Sequence, residues 1–401
     1  MLILFDVDGV LVHHRAYHLG LSRSIGYFSR RMGAGDHALT QAEIDEFEGQ
    51  SVTVEWESCA LSAAAVLLAR LRAAPPADPR PASPGIAGFW QALDALGAAP
   101  TPTPRPDFTA LARRVGAVTP PGGKPSLTML PLLLAECQAE PWGALAAPLL
   151  RQLLADCYDI NNSPATQVVQ NFAVGHAGYR KSYGLTPHFE QAALLETEDS
   201  PLLQPAWRDR LLAERAAGRV HFTLYTARPS LPPVEVLEAR RGYTPEAEIA
   251  LHLIGLDSEG PERVPVIAVG KLEWVARRAG RNVLEWVKPS PVQALAGVAA
   301  AASGQELAAV EAALLVETGA ALPELYQAGA DRAVHVFEDS ANSLRAVAHA
   351  VELLNAHGLG LRLTRHGIAP AGSPKSAALA QVADFVHPDV NAGLAMVLPE
   401  K

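Results

Sequence analysis

The chain has 401 residues, 49% of them hydrophobic, and a formal net charge of −9 at neutral pH. That length exceeds one typical domain and predicts two, and the acidic balance argues against a protein that grips nucleic acid non-specifically. No stretch approaches the ~20 uncharged apolar residues of a membrane-spanning helix, and the MLILF start has neither the basic residues nor the apolar length of a signal peptide. Cys59, Cys137 and Cys157 are odd in number and lack metal-site spacing, which predicts reduced thiols in a cytoplasmic protein.

In chain order, residues 2–7 predict a short buried strand that ends at an acidic turn, Asp6-Val-Asp8-Gly9-Val10. A long interval follows, 15–199, with no strong strand signal. Helical patterns fall at 43–47, 55–73, 89–96, 108–115, 129–136, 144–158 and 166–173, which predicts an α-helical domain inserted after the first strand. Residues 73–106 carry nine prolines and read as an exposed loop. Trp56 opens a helical stretch and reads as packing. Residues 175–184 combine glycines and aromatics with Arg180 and Lys181. They read as a basic surface loop or as one that closes over an anion, which makes Arg180 and Lys181 candidate substrate-binding residues.

Beyond the insertion, strands and helices alternate. A helix over 207–217, stopped by Gly218, leads into a strand at 220–226. A short helix follows at 270–280, then a strand at 283–287 just before Lys288-Pro289, and another at 333–337 just before Glu338-Asp339-Ser340. Leu344, Val347, Ala348, Val351 and Leu354 mark one helical face, and Gly358 stops it. Short strands at 361–364 and 384–386 complete the series. The alternation predicts an α/β fold, a doubly wound parallel sheet over 1–14 and 200–401, with ligands bound beyond the strands' C-terminal ends. Gly270-Lys271 lacks the glycine spacing of a phosphate-binding P-loop.

Two carboxylates at one strand end suit phosphoryl chemistry. Asp6 would attack phosphorus as a nucleophile, and Asp8 would give a proton to the leaving oxygen and take one from water. Gly9 permits the sharp turn. Carboxylates facing an anionic phosphate need cations, and a divalent ion with oxygen ligands, magnesium, supplies one. Glu338 and Asp339 offer further ligands, Lys288 a point charge and Thr226 a hydroxyl donor. Taken singly, each has an ordinary local reading as a turn or a cap. Arg228, two residues past Thr226, reads as a locally paired arginine or as one facing the phosphate or a substrate carboxylate. His13 and His14 follow the acidic turn.

The ordered set Asp6-Val-Asp8-Gly9-Val10, Leu224-Tyr225-Thr226, Val287-Lys288-Pro289 and Val336-Phe337-Glu338-Asp339-Ser340 resembles the four motifs of the haloacid-dehalogenase-like hydrolase superfamily. The last is similar to that of its β-phosphoglucomutase-like branch. The resemblance covers 1–14 and roughly 200–401. It implies a Rossmann-like core with an inserted helical cap of the C1 type at 15–199. It also implies Asp6 as nucleophile and metal ligand, Asp8 as acid–base group with its backbone carbonyl on the metal, and Thr226 and Lys288 on the phosphoryl group. Asp339 would complete the magnesium site with Glu338. The dehalogenases that name the family lack the second acid, so the resemblance implies a phosphatase acting on a small phosphorylated metabolite. A sugar phosphomutase on the same core and a non-catalytic phosphate-binding regulator are the alternatives. The insertion, at about 180 residues, is large for such a cap.

Overall fold

The computed structural model describes residues 1–77, 79–120, 122–236, 240–257, 260 and 262–398. Asp78 of the proline-rich stretch and the last three residues of the 200–401 segment lie outside them. The chain divides into two compact units, Met1–His14 with Glu198–Lys401, and Arg15–Thr197.

The first unit is an α/β fold. Its strands are β1 (Leu2–Phe5), β2 (Val12–His13), β3 (Ser200–Pro201), β4 (His221–Tyr225), β5 (Val266–Ile267), β6 (Ala333–Glu338), β7 (Arg362–Ile368) and β8 (Phe385–His387). Six of them form one sheet in the order β5-β4-β1-β6-β7-β8 with every pairing parallel. β1 is central, and all four of its residues are buried, so it reads as a continuous apolar run rather than an alternating one. Leu2 and Leu4 point into a core shared with the helices Val269–Arg278, Pro291–Ser303, Glu306–Glu317 and Ala341–Ala356. Ile3 and Phe5 point into a second core with Leu211, Ala250, Leu251 and Leu394, on the helices Pro205–Ala216, Glu246–Leu253 and Val390–Val397. Period-two side-chain alternation thus sends successive β1 residues to opposite helical layers, and the sheet is doubly wound. β2 and β3 form a separate antiparallel pair, Val12 opposite Pro201 and His13 opposite Ser200.

The sheet departs from the sequence reading at one strand. Residues 283–287 are not extended: Val283–Glu285 is a single 3₁₀ turn, capped by Asn282, whose side chain accepts the Leu284 N–H at 3.1 Å. Apolar residues at 283, 284, 286 and 287 do not alternate, and Leu284 is exposed while Trp286 is buried. The strand beside β4 is instead β5, hidden in the sequence because only Val266 and Ile267 pair and Pro265 interrupts the run.

The second unit contains helices and no strand among its described residues. Pro164–Ala173 is buried at every position and forms its centre, and Glu55–Ala73 runs alongside with both faces largely buried. The proline-rich stretch holds a helix, Gly85–Gly97, in its middle. Residues 175–184 are not a loop. Gly175–Tyr183 is helical and Gly184, at φ 69°, ends it in the left-handed conformation. Tyr179 and Ser182 on one face of that helix are buried, which binds it to the unit. Trp56 packs edge-on against Tyr158 at 5.7 Å, and the three cysteines are buried free thiols.

One cross-strand feature bears on acid stability. His335, His366 and His387 lie on β6, β7 and β8, with 3.0 Å nitrogen–nitrogen contacts from His366 to each neighbour. Phe337 stacks on His366 at 4.6 Å, and His366 is fully buried. Burial, together with the two neighbouring imidazoles, pushes its pKa down from 6.5 to about 3. The unfolded chain therefore takes up a proton near pH 6.5 that the folded chain refuses until about pH 3, so stability falls as pH falls through that window. We expect a loss of about 3 kcal/mol from this site between pH 7 and pH 4. His366→Phe should flatten the pH dependence of the urea midpoint over that range, and an unchanged slope would refute the assignment.

Candidate active site

β1 sits where the strand order reverses, with β4 on one side and β6 on the other, so the C-terminal ends of these three strands open onto one crevice. The first of these ends delivers Asp6. Its N–H donates to Phe337 O at 2.9 Å, continuing the ladder, and its carboxylate Oδ1 accepts the Val7 N–H at 2.8 Å. The chain then turns tightly, with Leu11 and Val12 N–H both donating to Val7 O at 2.8 and 2.9 Å. Gly9 has φ +72°, and a Cβ there would lie 2.3 Å from Asp339 Oδ2. No other residue fits, both for its backbone conformation and because a carboxylate from another strand occupies the space.

β6 delivers Glu338 and Asp339. Glu338 is fully buried, held by Tyr225 O–H at 2.5 Å, Lys288 Nζ at 3.0 Å and the Ser340 N–H at 3.2 Å. Ser340 caps the following helix, its hydroxyl accepting from Ser343 N–H. Asp339 pairs with Lys375, at the start of Pro374–Leu379. Lys288, whose peptide bond to Pro289 is cis, reaches Asp6 Oδ1 at 2.7 Å and lies 4.4 Å from the centre of the Tyr225 ring. Burial by itself would lower the Lys288 amine, and the Asp6 and Glu338 carboxylates more than reverse that, raising it above the ordinary lysine value. Burial and the neighbouring Asp6 charge push both Glu338 and Asp339 up, with Lys288 and Lys375 opposing.

One carboxylate oxygen each from Asp6, Glu338 and Asp339 lies within 4.8 Å of the others. A set of hard, anionic oxygens with two lysine ammonium groups drawn onto it suits magnesium or another oxygen-seeking divalent ion.

Thr226, at the end of β4, is buried, and its Oγ accepts the Arg228 N–H at 3.2 Å. Arg228 turns its guanidinium onto Asp8, with Nε 3.0 Å from both carboxylate oxygens and Nη2 2.6 Å from Oδ1, and onto Asp199 at 2.8 Å. Burial acts to raise the Asp8 carboxyl, and the Arg228 charge and hydrogen bonds outweigh it, so its pKa lies below the ordinary carboxylate value. His14 adds to the lowering. His13 lies on β2 with its side chain exposed.

The structure thus gathers Asp6, Lys288, Glu338 and Asp339 into one network and joins Asp8 to Arg228. Arg180 and Lys181 belong to the helical unit, on Gly175–Tyr183, where Arg180 lies 3.7 Å from Glu190. Four further residues support the site, and three of them, Gln293, Asp199 and Lys375, are absent from any sequence motif. Gln293 is fully buried and braces two motifs at once: its Oε1 accepts the Lys288 N–H at 2.9 Å, and its Nε2 donates to Thr226 O at 2.8 Å and Ile267 O at 2.9 Å. Tyr225, Asp199 and Lys375 each fix a charged site group. Only Tyr225 carried a signal, its place immediately before Thr226.

No protein-family model matches the chain, and no curated protein matches it. Among solved structures, the chain is similar to an X-ray structure of a Northeast Structural Genomics Consortium target, with a TM-score of 0.61 at 14% identity over 99% of this chain and 98% of that one. That likeness extends to the fold. It also aligns with phosphatase Tt82 from Thermococcus thioreducens over the full length of both chains at 14% identity, with a TM-score of 0.47, too low to bear on function.

Proposed function

We propose that the chain is a metal-dependent phosphohydrolase that cleaves a small phosphomonoester through an aspartyl-phosphate on Asp6. The observation that carries this is the single network of Asp6, Glu338 and Asp339 at neighbouring strand ends with Lys288 just beyond the turn at Val283–Glu285, and with a second acid, Asp8, in the same loop as the first. Asp6 Oδ attacks phosphorus as the bond from phosphorus to the alcohol oxygen breaks, and Asp8, held as a carboxylate at rest by Arg228, relays to that oxygen a proton taken from the substrate's phosphoryl monoanion. Water then attacks the aspartyl-phosphate, its proton passes to the Asp8 carboxylate, and the Asp6–phosphorus bond breaks to release inorganic phosphate. Lys288 places positive charge beside the transferring oxygens, and the Thr226 hydroxyl has its hydrogen to donate to one of them. Asp6, Glu338, Asp339 and the Asp8 carbonyl would hold the divalent ion, which supplies charge against the phosphoryl oxygens. The helical unit between the first two motifs is the part left to select the substrate.

The test is phosphate release from a panel of alkyl, aryl and acyl phosphates, with magnesium and with excess chelator. The expected result is magnesium-dependent release of inorganic phosphate from at least one ester. Formation of an isomer from glucose 1-phosphate without free phosphate would select the mutase reading. Silence across the panel would favour a binding protein.

A further inference from the structure

We propose that Arg228, anchored by Asp199, is the positioning residue that aims the Asp8 carboxyl, an assignment that rests on the phosphohydrolase reading. The clamp is asymmetric. The side chains of Arg228 and Asp199 are 1% and 0% exposed, while that of Asp8 is 29% exposed. One edge of the guanidinium, Nε with Nη2, therefore grips a carboxylate that reaches the open site, while the same Nη2 is tied to a second carboxylate in the interior. Arg228 has little freedom of its own. Its N–H is held by Thr226 Oγ, and its carbonyl accepts the Val269 N–H at 3.2 Å.

Asp199 is tied to the same small frame as Asp8. It immediately precedes β3, which pairs with β2 at the end of the Asp8 loop, and Leu202 N–H donates to Leu11 O at 2.8 Å. Anchor and target thus move as one piece, with a planar fork between them that fixes the carboxylate plane as well as its position. Burying one cation between two acids costs desolvation that an apolar pair would avoid, so stability alone gives little reason for the arrangement. Sequence position alone left Arg228 open to a direct substrate contact. The geometry points instead to action through Asp8.

Leaving-group dependence separates this role from a merely structural one. When the bond to an alkyl oxygen breaks, that oxygen needs the proton that Asp8 relays. An acyl phosphate releases a carboxylate, which leaves without one. In Arg228→Lys, which keeps the charge and loses the fork, kcat/KM for an alkyl phosphate should fall by about 100-fold, and kcat/KM for acetyl phosphate by less than about threefold. kcat/KM reports the first phosphoryl transfer alone, before the aspartyl-phosphate hydrolysis in which Asp8 serves both substrates, and KM should not rise for either. Asp199→Asn, which leaves the Arg228–Asp8 contact in place without its anchor, should show the same pattern with about a tenfold alkyl loss. It serves as the test if Arg228→Lys does not fold. Equal losses on both substrates would overturn the assignment, as would a rise in KM alone, which would put Arg228 on the substrate. Wild-type protein inactive on every ester would remove the phosphohydrolase reading itself. Wild-type activity with uniform losses in the variants would remove only the role of Arg228.

Discussion

Asp6→Asn is expected to reduce turnover by at least about 10⁴-fold while the protein stays folded. In the proposed mechanism this carboxylate attacks phosphorus, and it is held in place: the Val7 N–H fixes one oxygen at 2.8 Å and Lys288 approaches the same oxygen at 2.7 Å. An amide of the same shape keeps the space filled and cannot form the acyl phosphate. Asparagine also removes one of three carboxylates whose oxygens lie within 4.8 Å of one another, so the urea midpoint should not fall substantially. Mass spectrometry of acid-quenched wild-type enzyme should find phosphate on Asp6, and none in the variant. Turnover that survives the substitution would sink the covalent mechanism, whatever the substrate.

The second large effect is on stability. Lys288→Met removes the ammonium that lies 2.7 Å from Asp6 and 3.0 Å from Glu338, each of these side chains being at most 9% exposed. Leaving buried carboxylates without their cation should cost roughly 3–5 kcal/mol at neutral pH. The pH dependence has a definite sign. Glu338 already has a pKa above its ordinary value, through burial and the Asp6 charge, and the substitution raises it further by removing an opposing charge. A carboxyl raised in the folded state contributes stability below its unfolded pKa and loses it as pH rises, so the variant's deficit should grow from pH 5 to pH 8. Urea titrations at both pH values, run with chelator, measure this. A deficit equal at the two would show that Lys288 does not hold the charge balance of the cluster.

The two substitutions press on opposite sides of one design. Three acids in a buried crevice repel each other, and the fold tolerates them because Lys288 and Lys375 are drawn among them and because Tyr225 and the Ser340 N–H satisfy Glu338. Charge set in advance where a substrate's own charge will change is what the proposed phosphoryl transfer requires. Gln293 matters for the same reason. By bracing the Thr226 carbonyl and the Lys288 N–H together, it fixes the spacing between the end of β4 and the turn that carries Lys288.

How far the sequence was legible follows from which interactions are local. The acidic turn after 2–7, the strands at β4 and β6 and the helix ended by Gly358 were readable because each is a short apolar run closed by a polar residue or a glycine. The 283–287 segment misled because an apolar run before a polar residue looks the same whether it is extended or turned, and only the Asn282 cap and the burial of Trp286 decide it. The helix at Gly175–Tyr183 was missed because its glycines suggest a loop until Tyr179 and Ser182 find buried neighbours.

The sequence by itself determined the alternation of strand and helix, the long helical insertion, and the order in which Asp6, Asp8, Thr226, Lys288, Glu338 and Asp339 reach strand or turn ends. Only the tertiary structure decided that β1 lies between β4 and β6, and hence that Asp6 and Glu338 share Lys288, that Gly9 faces Asp339, and that Arg228 spans Asp8 and Asp199. The physical reason is range. Backbone preference and hydrophobic period act over a few neighbouring residues, whereas strand order and the partner of each buried charge are set by contacts between residues as much as 220 positions apart.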